Sequence, residues 1–244
     1  MAMRRLILST LFLLLAAPAA AQAAPTVYAA ASLREAFPQI DGAPTYNFAG
    51  SNALQTQIER GAPADVFASA SPREAQALFR AGRCTRPVTF ATNIVVMLVP
   101  ASNPARLRSI YSLRSGPQRR LAVGTAGVPI GAYTRKLLQR MRLTSILSRH
   151  IISNEANVST ITSKVALASA DAGFAYITDA RAGGNRVRAI RLPTWAQPPV
   201  RYQMCAVRRN GADTAGAQAY IRKVTSSRGR SVLKKWSFGL PPRS

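Results

Sequence analysis

Short apolar runs alternate with helical patterns along nearly all of this 244-residue chain, and no other feature constrains its fold as tightly. Thr26–Ala31 is an apolar run. Ser32-Leu33-Arg34-Glu35 follows at capping-box spacing and predicts a helix start, with Pro38 keeping that helix short. Thr45–Ala49 reads as a second strand and Gly50-Ser51-Asn52 as a turn. Ala53–Arg60 is then a helix with Leu54 and Ile58 on one face and Gly61 as its stop. A third strand over Ala64–Ala68 precedes a helix over Pro72–Ala81.

The second half continues the pattern. Asn93–Pro100 has the composition of a fully buried strand, and Leu121–Gly124 is another, followed by a helix to about Met141. Asn157-Val158-Ser159 opens a helix with Ile161, Val165 and Ala168 at helical spacing, and Ala172–Ile177 is a strand. Arg181–Pro199 reads as loop, Tyr202–Val207 as strand and Gly216–Trp236 as mostly helix. Such alternation predicts an α/β fold of mostly parallel sheets covered by helices on both faces. In sheets of this kind ligands sit beyond the carboxyl ends of the strands, where helices begin.

The N-terminus predicts export. Arg4 and Arg5 precede the apolar run Leu6–Leu15, and Ala21-Gln22-Ala23 supplies small residues for cleavage, so residues 1–24 read as a signal peptide. The mature chain is expected to start near Ala24 or Pro25 and to be soluble in the periplasm. No cysteine follows the apolar run to suggest a lipid anchor. Cys84 and Cys205 are the only cysteines, an even count that allows one disulfide in an oxidising compartment; two buried free thiols is the alternative.

The formal net charge is +24, a field that attracts anions, acidic membranes and nucleic acid alike. The arginines are scattered, however, with no dense basic run, zinc-finger spacing or aromatic RNA-binding signature, so no nucleic-acid partner is expected. Catalytic patterns are also missing. The single histidine, His150, has no nucleophile or metal-ligand spacing around it and reads as a surface or helix-end residue. The nine carboxylates form no tight motif, and there is neither a Walker loop nor a Gly-x-Gly-x-x-Gly turn. Neither catalysis nor a cofactor is expected.

What the chain does carry is small and hydroxyl residues at strand-to-helix junctions: Ser32, Ser51, Val128–Gly131 and Asn157-Val158. Helix N-termini present unpaired amides and partial positive charge, so an oxyanion can be held there without a charged side chain. Ala29–Leu33, Phe48–Leu54 and Gln57–Phe67 closely resemble blocks of the periplasmic molybdate-binding proteins. Val123-Gly124, Val128–Tyr133, Asn157-Val158 and Ala170–Ala180 resemble that family's later blocks, in the same order.

The resemblance implies a two-lobed periplasmic binding protein of type II-like form, an α/β fold with the ligand in the cleft between lobes. It implies lobe I over residues 25–88 plus 211–244 and lobe II over 89–210. Ser32 and Ser51 would donate from the first lobe, Ile130 and Val158 would donate backbone amides from the second, and Tyr176 its phenol. The implied ligand is molybdate or tungstate, bound as the oxyanion with no direct metal ligands, for delivery to the membrane permease of an ABC transporter. A monomer is expected.

The sequence departs from the family pattern in places. The Ser32-to-Ser51 stretch is short, Ile130 stands where a smaller residue is common, and Thr125-Ala126-Gly127 replaces an acidic-Pro loop. Competing readings are a binding protein for sulfate, thiosulfate or phosphate, a basic secreted protein that adheres to acidic polymers, and an enzyme.

Overall fold

A computed structural model describes residues 24–241, so all but the last residue of the expected signal peptide lies outside it. In chain order the first elements are β1 (Thr26–Ala30), a 3-10 turn (Ala31–Leu33), α1 (Phe37–Ile40), β2 (Thr45–Ala49) and α2 (Ser51–Glu59). Then come β3 (Val66–Ser69), α3 (Pro72–Arg80) and β4 (Val88–Asn93). After Ile94 the chain enters β5 (Val95–Pro100), β6 (Arg120–Gly124), α4 (Pro129–Arg140), α5 (Ile146–Arg149) and β7 (Ile151–Glu155). It continues through α6 (Val158–Ala166), β8 (Ala172–Tyr176), α7 (Ile177–Gly183) and β9 (Val187–Arg191). Finally β10 (Val200–Ala206), α8 (Thr214–Thr225) and α9 (Ser227–Lys235) close the chain.

The strands form two five-stranded sheets, ordered β2-β1-β3-β10-β4 and β7-β6-β8-β5-β9. Each has three parallel strands at one edge, then an antiparallel strand, then an outer strand. The sheets are therefore mixed, because β5 and β10 arrive from the opposite lobe and run against their neighbours.

Sheet pairing also corrects the lobe borders. The chain crosses at Ile94 and again between Arg191 and Val200, so Thr89–Asn93 and Val200–Ala206 belong to the first lobe's sheet. The two edge strands β4 and β9 carry the crossings. Their alternation is broken by polar residues, which is why the sequence reads β9 as loop and misses β4.

Both faces of the first sheet are covered. Val66 and Ala68 point into one continuous apolar core that runs through both lobes, while Phe67 between them points into a smaller cluster with Leu54, Ile58 and Leu78. Burying each of the Val, Leu, Ile and Phe side chains among these contributes roughly 1.5–3 kcal/mol.

Other local readings change too. Ser32 lies in a 3-10 turn with no side-chain capping bond, so the expected capping box is not formed. Pro38 instead stands in the first turn of the four-residue α1. The last helical stretch breaks at Ser226, whose side chain accepts from Gly229 to start α9. His150 is at a helix end as read, closing α5, but it is buried and not on the surface. Its Nδ1 accepts from the Arg119 amide at 3.1 Å, so Nε2 carries the hydrogen donated to the Leu113 carbonyl at 2.9 Å. Cys84 and Cys205 are free, fully buried thiols. A hydrogen bond with Cys84, together with burial, pushes the Cys205 thiol far up.

Candidate anion-binding cleft

The three parallel strands of each sheet end at the same place, and every residue singled out for the site lies just beyond them. Ser32 follows β1 and Ser51 follows β2; Ile130 and Val158 follow β6 and β7, and Tyr176 ends β8. All five line one cavity of about 20 Å³ between the lobes. Space of that size admits one compact group and little else. No ionisable side chain other than the Tyr176 phenol is in its wall. A far larger groove of about 660 Å³, walled by Arg106, Arg108 and Arg188, lies beyond the other end of β5 and gathers none of these donors.

Three helices begin at the cavity. Gly50, Val128 and Asn157 are the N-cap residues of α2, α4 and α6, each extended, so Ser51, Ile130 and Val158 occupy the first turns. First-turn amides have no intrahelical acceptor, and the helix dipole adds about half a positive charge at each such end. Asn157 accepts from the Thr160 amide at 3.1 Å and so fixes the turn that presents Val158.

The side-chain donors are prepared differently. The Ala70 amide donates to Ser51 Oγ at 3.0 Å, which occupies an acceptor position and leaves the serine hydrogen for another partner. Ser32 Oγ is 2.8 Å from the Tyr202 hydroxyl. Tyr176 is fully buried, and its hydroxyl has no hydrogen-bond partner among the described residues. An unpaired buried hydroxyl costs about 1–3 kcal/mol, so a polar group aimed at the cavity needs something there to accept from it. Burial raises the Tyr176 phenol well above its ordinary value, so it remains a donor.

Behind Tyr176, Asp179 accepts from the Tyr176 amide at 2.9 Å. Burial pushes its carboxyl up to about 7, against the opposing pull of the backbone bonds it accepts.

The lobes touch around the cavity. A Cβ on Gly50 would collide with the Ala156 carbonyl of the second lobe, so only glycine lets the two junctions come together. Arg73, at the start of α3, donates to the Gly127 carbonyl across the cleft while also pairing with the buried Glu74 at 2.7 Å. Gly127 belongs to the unusual Thr125-Ala126-Gly127 loop, which thus forms a bridge between lobes. Ile130 fits because its Cγ2 leans over Gly124, where an added Cβ would come within 2.8 Å.

Sequence reasoning missed Gly50, Asn93, Tyr202 and Arg73. Their importance comes from contacts with residues distant in the chain, and nothing local marks them. Among the described residues no cluster of three or more His, Cys, Asp or Glu could hold a metal ion.

Comparison with known proteins bears on the family and the fold. The family described as bacterial extracellular solute-binding protein matches residues 19–239. The chain is 35% identical over 243 residues to the molybdate-binding protein ModA of Mycobacterium tuberculosis, covering 92% of this chain and 90% of that one. The periplasmic molybdate-binding protein of Azotobacter vinelandii has a TM-score of 0.80 at 20% identity, over 89% of this chain and 100% of that one. The sulfate-binding protein SubI of M. tuberculosis has a TM-score of 0.73 at 14% identity, over 88% and 85%.

Proposed function

Because this chain belongs to the molybdate-binding family of bacterial extracellular solute-binding proteins, we propose that it captures molybdate or tungstate outside the cytoplasm and hands it to an ABC transporter. This is a transport family and not an enzyme family. The observation that carries the ligand assignment is the cavity itself: about 20 Å³, walled by neutral donors from both lobes, with one buried phenol lacking a hydrogen-bond partner among the described residues.

A dianion in such a place is held by hydrogen bonds that strengthen as water is excluded. Ser32 and Ser51 would donate hydroxyl hydrogens, Ile130 and Val158 backbone amides, and Tyr176 its phenol. Neutral donors suit a ligand that must also be released. Closure of the lobes assembles both donor sets and presents the transporter with a filled, compact form. The net charge of +24 draws anions toward the cleft without contributing an ion pair inside it. This reading requires no cofactor, no nucleic acid and no second copy of the chain, and it places the mature protein in the periplasm after removal of residues 1–24.

Thermal unfolding of the mature chain with molybdate, tungstate, sulfate and phosphate at equal concentration tests it. A ligand that binds only the folded state stabilises by about 2.7 kcal/mol at a hundredfold excess over Kd. A large upward shift with molybdate and tungstate and little with sulfate is expected. A shift with sulfate or phosphate instead keeps the fold and changes the ligand; no shift with any oxyanion removes the assignment.

A further inference from the structure

We propose that Tyr202 is a positioning residue whose hydroxyl, held by Asn93, donates to Ser32 and so turns the only Ser32 hydroxyl hydrogen toward the cavity. The inference rests on the oxyanion reading of the cleft.

The direction of each bond follows from counting hydrogens. Asn93, the last residue of β4 before the crossing, is buried. The Ile94 amide lies 2.9 Å from Asn93 Oδ1. That contact sets the side-chain amide, because the flipped form would face one donor with another. Asn93 Nδ2 is then 3.0 Å from Thr178 Oγ1 and 3.3 Å from the Tyr202 hydroxyl, and both oxygens accept from it. Tyr202 is fully buried, and burial holds its phenol protonated. With its oxygen accepting from Asn93, its single hydrogen has Ser32 Oγ as partner, at 2.8 Å. Ser32 is thereby an acceptor on its protein side.

Ser51 is placed in the same condition by a different device, the Ala70 amide at 3.0 Å. Both serines meet the cleft with their hydrogens outward. Two hydroxyls fixed as donors favour a fully deprotonated oxyanion over one that carries a hydrogen of its own, since neither serine is free to accept it. Thr178 belongs to the second lobe, so the same chain of bonds runs from the cavity through the crossing point to the opposite lobe.

A double-mutant cycle read by calorimetric titration of molybdate tests this. Tyr202→Phe keeps the ring that packs edge-on against Phe90, Tyr176 and Phe238 and removes only the hydroxyl. It is expected to weaken binding about tenfold, and in a Ser32→Ala background to change it by no more than about twofold. In a Ser51→Ala background the tenfold loss should persist. As an independent route, Asn93→Asp presents an acceptor where Tyr202 now meets a donor, and it should weaken binding at least as much.

Unaltered affinity in Tyr202→Phe and Asn93→Asp overturns the inference. So does a Tyr202→Phe loss of equal size with and without the Ser32 hydroxyl, which would mean the Tyr202 hydroxyl acts by a route other than Ser32. If the unmodified protein binds neither molybdate nor tungstate, the reading of the cleft fails, and the inference with it, in a result that the cycle does not share.

Discussion

In the first lobe three parallel strands end on two serines whose hydroxyls face the cavity; in the second, the equivalent three strands end on Ile130, Val158 and Tyr176. The strand orders correspond one to one, yet the donors differ in kind. In the proposed site the first lobe would work through side chains, each made a donor by a protein group behind it. The second would work mainly through backbone amides at helix starts, where the side chains are apolar and pack into the core. A fold that brings helix N-termini to one point does not need polar side chains there. It needs only that closure be permitted and that water be excluded.

The comparison breaks most completely if the lobes cannot meet. Gly50→Ala leaves the first lobe intact, since Gly50 has φ −63° and ψ 136°, which alanine adopts freely. Its methyl would strike the Ala156 carbonyl. The expected result is molybdate affinity lower on the order of a hundredfold with thermal stability of the ligand-free chain nearly unchanged. Tyr176→Phe sharpens the contrast between site and core. It should weaken molybdate binding about tenfold, yet leave ligand-free stability equal or higher because an unsatisfied buried hydroxyl is removed. Calorimetric titration and unaided melting, measured on the same sample, separate the two effects.

The pH dependence isolates Asp179 of the second lobe. Its carboxyl is raised from 3.8 to about 7 in the folded chain. The unfolded chain therefore releases this proton at lower pH than the native one. Its stabilising contribution is full below about pH 4 and is lost as pH rises to about 7. Relative to Asp179→Asn, the wild-type melting temperature should fall on the order of 5 °C across that window; parallel pH profiles would show the carboxyl to be ionised throughout. The smallest effect is expected at the rim. Arg73→Ala removes the exposed bridge to Gly127, and a roughly two- to fourfold faster release of molybdate in stopped flow is expected, with the association rate little altered.

Much of the fold can be read from the chain because its signals are local. Thr45–Ala49 and the helix from Pro129 are bounded by their own turn residues and apolar periods, and they form nearly where the pattern places them. Strands β4, β7 and β9 are harder, since their outer faces are polar and their identity as strands depends on a neighbour. The site divides along the same line. Ser32 and Ser51 stand out as hydroxyl residues at strand ends. Ile130 and Val158 are marked only by their place at strand-to-helix junctions and Tyr176 by nothing local; all three look like core residues, which they also are, and the family resemblance gives them a role. Asn93 and Tyr202 are joined to Ser32 across 61 and 170 positions of sequence, a relation no periodicity encodes.

The most direct measurement is the calorimetric titration of molybdate into Val158→Pro beside Val158→Ala. Val158 is the first residue of α6, where proline is accepted without loss of a helical bond, and Asn157 before it is already extended at φ −160° and ψ 168°. Proline deletes the amide hydrogen and keeps the fold; alanine deletes the side chain and keeps the amide. At least about a tenfold loss is expected for proline and no more than about a threefold change for alanine. Wild-type affinity in Val158→Pro, or a greater loss in Val158→Ala, would contradict the claim that the second lobe holds its ligand by backbone amides.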